Sequence, residues 1–126
     1  MSWQVYVDQN LVGTGQVARA AILGQQGGIW ARSAGFSLSA DEQKAILTVH
    51  SNLDYTRVRG ITLNGKKYDT VQIDKSSFLG KAGDNGCIII RTKQAIIVAL
   101  SIVPVHLVQA QAVVQDLADY LVSQGY

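Results

Sequence analysis

The chain has 126 residues, 48% apolar and 16% charged, with a formal net charge of +2. That length suits one domain, residues 1–126, with a core of its own, and the apolar content excludes a disordered chain. The small net charge and interleaved aspartates argue against nucleic acid as a partner.

Charge is nonetheless uneven. Residues 57–93 carry eight basic side chains against Asp69, Asp74 and Asp84, which marks them as a candidate surface for an acidic partner. Gln4, Asp8, Gln9 and Asn10 interrupt the opening stretch, so no signal peptide is expected. The apolar run from Cys87 to Val103 is divided by Arg91-Thr92-Lys93-Gln94 into halves too short to span a bilayer. A lone Cys87 inside that run reads as a buried thiol in a reducing compartment, and the cytosol is the expected location.

In chain order, Ser2 is placed to cap a first helix ending near Gly13 and Gly15, with Trp3 and Tyr6 on one face. Val17 to Leu23 reads as a buried strand, and Gly27-Gly28 turns the chain into a second strand, Ile29 to Arg32. Ser39-Ala40-Asp41-Glu42 is a capping box, and Ala45, Ile46, Val49 and Leu53 follow at helical spacing. An amphipathic helix over 40–52 is therefore predicted, with a short extra helical turn over 53–58. Asn64-Gly65 accepts positive φ angles and joins Ile61–Leu63 to a strand that runs from Lys66 through Val71 and Ile73. Ser77 to Leu79 adds a short strand before the turn at Gly83–Gly86.

Cys87 to Arg91 and Ala95 to Val103 form a hairpin so continuously apolar that both its faces must be covered. After Pro104, the spacing of Ala110, Val113, Val114, Leu117, Ala118 and Leu121 marks a last helix, with Tyr120 at the edge of its apolar stripe. The sum is an α+β domain of six or seven antiparallel strands in a meander. The N- and C-terminal helices lie on one face and the middle helix on the other.

Gly13-Thr14-Gly15-Gln16-Val17-Ala18 spells G-x-G-x-x-A, but that fingerprint needs a preceding strand within βαβ units, so a helix stop is expected instead. Two histidines, one cysteine and one glutamate leave no metal-ligand or paired-carboxylate spacing. Neither an enzyme nor a cofactor or metal site is expected, and His50 reads as a core or surface residue. The aromatics carry the better signal. Proline lacks an N–H, packs its ring on aromatic faces and offers carbonyls to indole and phenol donors. Trp3, Tyr6, Trp30, Tyr120 and Tyr126 suit such a ligand if the terminal helices lie side by side.

These residues resemble the profilin family. Ser2-Trp3-Gln4, Tyr6-Val7-Asp8, Leu11–Gly15, Ala20-Ala21-Ile22, Trp30-Ala31, Lys93, Leu117–Leu121 and Tyr126 stand at matching spacing from end to end, nearest to the short profilins of amoebae, fungi and plants. The resemblance implies a non-enzymatic regulator of actin polymerisation in the cytoplasm, at the cytoskeleton and cell cortex. Its implied partners are monomeric actin, proline-rich proteins such as formins, and phosphoinositides.

By matching position, the polyproline groove would be Trp3, Tyr6, Trp30, Tyr120, Leu121 and Tyr126. The actin face would be Arg57, Val58, Lys67, Gln72, Lys81, His106, Val108, Gln111, Ala112 and Gln115. A phosphoinositide site would need Arg57, Arg59, Lys66, Lys67, Lys81, Arg91 and Lys93 on one face.

The departures fall on the actin side. Gln72 stands where an arginine is common, Ser76-Ser77-Phe78-Leu79-Gly80 where amoebal and fungal forms have Arg-Ser-Ile-Tyr-Gly, and Leu107-Val108 where Pro-Gly is usual. An altered actin interface, weaker or partner-selective, is expected. Two alternatives stay open. One is an adaptor with the same fold that keeps proline-rich binding and has lost actin. The other is a roadblock- or longin-like scaffold that dimerises through a sheet edge and keeps its terminal aromatics in the core.

Overall fold

The computed structural model describes residues 2–102 and 107–126. Helix α1 opens with one α turn at Trp3–Val5, where the Ser2 hydroxyl accepts from the Val5 amide at 3.3 Å. It widens to a π-helix over Tyr6–Leu11, closed by Val12 N–H to the Val7 carbonyl, and tightens to 3-10 geometry at Val12–Thr14. An ordinary helix was the expectation; the wider turn still leaves Val7 and Leu11 fully buried. The glycines of the G-x-G-x-x-A string end this helix, and among the described residues no strand precedes them.

Seven strands follow: β1 (Arg19–Gly24), β2 (Ile29–Arg32), β3 (Ile61–Leu63), β4 (Lys66–Ile73), β5 (Ser77–Ala82), β6 (Asn85–Arg91) and β7 (Ala95–Ser101). They form one antiparallel sheet in the order β2-β1-β7-β6-β5-β4-β3. The meander therefore covers β3 to β7 only. The β1–β2 hairpin docks on β7, and the chain returns to the far edge through α2 (Ala40–Thr48) and α3 (Leu53–Arg59).

The helix predicted over 40–52 ends at Thr48, and the extra helical turn expected over 53–58 is present as α3. The Asn52 side chain accepts from the Tyr55 amide at 3.1 Å and starts α3, so Leu53 belongs to the second helix. At the other end of α2 the capping box is complete, Glu42 accepting from Ser39 N–H at 3.1 Å. Its second oxygen accepts from Gly65 N–H at 2.9 Å, which ties the helix to the hairpin turn where Asn64 has φ 53°.

The last helix, α4, spans Leu107–Ser123. Side chains alternate across the sheet as the period of two requires. From β7, Ala95, Ile97 and Ala99 face Val7, Leu11, Val114, Leu117 and Leu121 of the terminal helices. Ile96, Val98 and Leu100 face Ile46 and Val49 with Phe36, Phe78 and Cys87. Burial drives the Cys87 thiol pKa far up, so it is an inert core group. The terminal helices thus share one face and the middle helix covers the other, as the apolar β6–β7 hairpin demanded.

Two irregularities position the surfaces described below. Ile22 pairs with Ala31 but Leu23 with Ile29, so Trp30 is an extra residue in β2. Thr70 pairs with Gly80 but Gln72 with Leu79, so Val71 is an extra residue in β4. A β-bulge re-aims side chains at such a point, and here both bulges carry an exposed apolar residue.

Candidate functional site

The aromatic groove is assembled from three directions. Ser2 and the first turn present Trp3 and Tyr6, whose ring centroids are 5.6 Å apart. Gln4 Nε2 donates to the Arg32 carbonyl at 2.8 Å, which holds α1 against β2. The bulge then brings Trp30 to 4.7 Å from Trp3. Gly24 makes room beneath it: a Cβ there would come within 2.6 Å of the Trp30 indole nitrogen.

The third wall is the end of α4. Tyr126 N–H bonds the Leu121 carbonyl at 2.9 Å and Gly125 N–H the Val122 carbonyl at 3.1 Å, with Gly125 at φ 92°. This Schellman arrangement folds Tyr126 back toward the groove. Its main-chain oxygen is then held by Thr92 Oγ1 at 2.8 Å and by Gln94 N–H, both in the β6–β7 turn. Tyr126 meets Trp3 edge-on at 5.1 Å, and Tyr120 sits 6.2 Å from Tyr6.

Trp30, Tyr120 and Tyr126 are exposed, while Trp3 and Tyr6 rest on the core beneath the terminal helices and stay half-open, so none of the five is fully enclosed. The scaffold alternative falls with that, and the sheet edges it would need are only the four residues of β2 and the three of β3.

Burial raises the Tyr6 pKa, and a hydrogen bond with Tyr120 adds to it. Tyr6 therefore stays a neutral phenol, able to donate from its hydroxyl. One expected groove residue does not belong there. Leu121 is 0% exposed, on the core side of α4, and serves the groove through the carbonyl that anchors Tyr126.

The second surface lies toward the other end of α4. Leu107 packs over Gly86, where a Cβ would come within 2.7 Å of its side chain. Gly86 pairs with Lys81, and Lys81 with Asp69, so the start of α4 stands beside the exposed ends of β5 and β4. Lys67, Gln72, Lys81, Ala112 and Gln115 are exposed and Gln111 half-buried. Val108 is 73% exposed and Val71, at the bulge, 55%.

Arg57 and Val58 reach the same strand from its other side. Their helix α3 is joined to β4 by Thr70 Oγ1, which donates to the Thr56 carbonyl at 2.7 Å. Val58 is 84% exposed, and Arg57 pairs with Asp54 at 2.9 Å across open surface, a contact worth under about 1 kcal/mol. His106 lies outside the described residues.

Sequence reasoning missed Val71. Its signal was present: Tyr68 and Ile73 both point inward five residues apart, which a regular strand with period two forbids.

The seven cations proposed for a phosphoinositide do not share a face. Lys81 pairs with Gly86 at one end of β6, while Arg91 closes the other end, about 17 Å away at ~3.3 Å per residue. Lys93 lines a hollow beside Trp30. Arg57 and Arg59 lie on α3 and Lys66 and Lys67 at the start of β4, and of these Arg59 and Lys67 line one hollow. Among the described residues no three His, Cys, Asp or Glu side chains group to hold a metal ion, and no helix is long and apolar enough to cross a membrane.

The likeness to known proteins is full length. Residues 1–126 match the family described as Profilin. Profilin-1A of Acanthamoeba castellanii is 43% identical over 126 residues, covering all of both chains, and profilin-A of Physarum polycephalum 40% identical over the same span. The crystal structure of Acanthamoeba castellanii profilin II superposes with a TM-score of 0.95 at 42% identity, covering 99% of this chain and 100% of that one. Mouse profilin IIa, solved in complex with a double repeat from the FH1 domain of mDia1, has a TM-score of 0.76 at 23% identity over 100% of both chains. The chain belongs to the profilin family, whose members are actin-binding regulators and not enzymes.

Proposed function

We propose that this protein binds monomeric actin on the face formed by β4, β5 and the start of α4, binds proline-rich segments in the aromatic groove, and so regulates actin polymerisation in the cytoplasm and at the cell cortex. The observation that carries the reading is the unbroken contact of Trp30, Trp3, Tyr6 and Tyr120, with Tyr126 across Trp3. Flat aromatic faces with polar tips and little core duty match the packing and carbonyls of a proline run. The complex of mouse profilin IIa with an FH1 repeat agrees in kind.

Holding a proline-rich assembly factor at one surface and actin at the other raises the local actin concentration. Promotion of nucleotide exchange follows if the protein prefers an opened actin cleft, a shift of population rather than chemistry.

The adaptor reading, with actin binding lost, has the departures at Gln72 and Leu107-Val108 behind it. Against it stand Val58, Val71 and Val108, apolar residues left open on the surface assigned to actin. Titration of labelled actin monomer decides: saturation at or below the order of 10 μM supports the two-surface reading, and no binding there leaves the adaptor. Tryptophan emission on adding polyproline tests the groove, and the change disappears in Trp3→Ala.

Phosphoinositide headgroups are assigned to Arg59 and Lys67, with Arg57 and Lys66 next to them in sequence and on the same elements. Equal capture of the protein by vesicles with and without the lipid sinks that assignment.

A further inference from the structure

The groove does not stop at its rings. Beyond Trp30 lies a hollow of about 300 Å³ lined by Gly24, Gln25, Gln26, Gly27, Lys93 and Gln94 with Trp30 itself. Beyond Tyr120 lies another of about 320 Å³, lined by Asn10, Thr14, Val113, Asp116 and Leu117 with Tyr120. Each shares one ring with the ladder, Trp30 at one end and Tyr120 at the other.

Each end hollow contains a single charged side chain, and the two are opposite in sign. Lys93 and Asp116 are both exposed, and neither is in an ion pair among the described residues. The ring-to-ring steps from Trp30 to Tyr120 are 4.7, 5.6 and 6.2 Å. At ~3.1 Å per residue of polyproline II, the ladder takes at most about five prolines, and residues flanking such a run fall toward the end hollows.

We infer that the groove reads charge as well as proline: an acidic residue flanking one end of the proline run seats at Lys93, a basic residue flanking the other end seats at Asp116, and the pair fixes which way the ligand lies. This deepens the proline-rich reading and rests on it. A proline run alone is nearly symmetric end to end, since it has no N–H and its ring faces repeat, so rings by themselves set affinity but not direction. Two exposed charges on opposite ends supply the direction. Each exposed pair contributes modestly, so the discrimination is about threefold per end at low salt and vanishes when salt screens it.

The experiment compares peptides sharing a core of about five prolines. One carries aspartate at one end and lysine at the other; a control carries asparagine and glutamine. By calorimetry in low salt the charged peptide binds about threefold to tenfold tighter, and the difference is gone in about 1 M salt, where the screening length is about 3 Å.

Direction is read by amide NMR with a nitroxide on the aspartate end. It broadens the amides of Lys93 and Gln94 and spares those of Asn10 and Thr14. The double charge swap Lys93→Glu with Asp116→Lys reverses that pattern. Equal affinities for the two peptides, or equal broadening at both ends, overturns the inference and leaves the groove intact. If the neutral-flanked peptide fails to perturb Trp3 and Trp30, the groove reading falls and this inference with it.

Discussion

Gly24 shows how a residue that touches no ligand can decide whether a site exists. Trp30 lies on its backbone, and a methyl group there would stand 2.6–2.8 Å from three indole atoms. Gly24→Ala is therefore expected to keep the fold, read by circular dichroism, and to lose about tenfold in polyproline affinity by calorimetry, since displacing a central aromatic costs on the order of 1–2 kcal/mol. Trp30 itself was legible in the sequence because an unpaired tryptophan on a short strand needs a reason. Gly24 was not, because its role exists only across the hairpin.

His50 is the other informative residue. Burial lowers its pKa, and Arg91 does so too, against a main-chain hydrogen bond at Ser77 and the Asp74 carboxylate, which raise it. Its Nε2 is buried and finds no hydrogen-bond partner among the described residues. In the unfolded chain it titrates near pH ~6.5, so below that the unfolded state binds the extra proton. Stability from this residue is complete above about pH 6.5 and declines as pH falls from there toward the folded pKa. Thermal melts from pH 7.5 down to about 5 should show that slope, and His50→Gln should flatten it. Asp74 has its pKa lowered, first by the Ser76 amide, so its share is lost only below about pH 4, in a separate window.

At the scale of elements, each binding surface rests on a device that locally breaks a regular element. The β2 bulge turns Trp30 outward and the β4 bulge turns Val71 outward. The end of α4 is folded back and fastened to the β6–β7 turn through Thr92. Thr92 is buried and its hydroxyl makes three contacts: it accepts from the Ala95 amide at 3.0 Å, and its one hydrogen is shared between the Tyr126 oxygen at 2.8 Å and the Ala95 carbonyl at 3.2 Å. Thr92→Val keeps the shape and removes all three. It should cost about 1–2 kcal/mol in urea unfolding, because the Ala95 amide is left without its acceptor. Polyproline affinity should drop about threefold as Tyr126 loosens, an effect absent if the tyrosine were fixed by packing alone.

The periodic elements were all legible in the sequence: α4 from its stripe, the β3–β4 hairpin from Asn64-Gly65, and α2 from its capping box. The π turn in α1, both bulges and the early end of α2 at Thr48 were not, because each answers to packing against a distant partner rather than to local spacing. The same cause misassigned Leu121. It stands beside Tyr120 in sequence, but a helix turns neighbours about 100° apart, and only one of them faces the groove.

At the scale of the molecule, α4 is the member both surfaces share. Its 17 residues span about 25 Å, with Val108 at one end and Tyr120 toward the other, twelve residues or about 18 Å on. Between them its inner face is locked to β6 and β7 by Ala110, Val114, Leu117 and Leu121. A helix packed along its whole length into a rigid sheet has no second arrangement to adopt, so ligand at one end has nothing to bias at the other.

The two surfaces should therefore be energetically independent. Trp3→Ala is expected to weaken polyproline on the order of thirtyfold or more and leave actin affinity unchanged. Val71→Asp should do the reverse, placing a charge where apolar surface would be buried, and weaken actin by about tenfold or more. In the double variant the two losses should add within about 0.5 kcal/mol, as they do for sites that share no contacts. Measured as a full cycle by calorimetry with both ligands, a coupling above about 1 kcal/mol would show that α4 moves between the two sites after all.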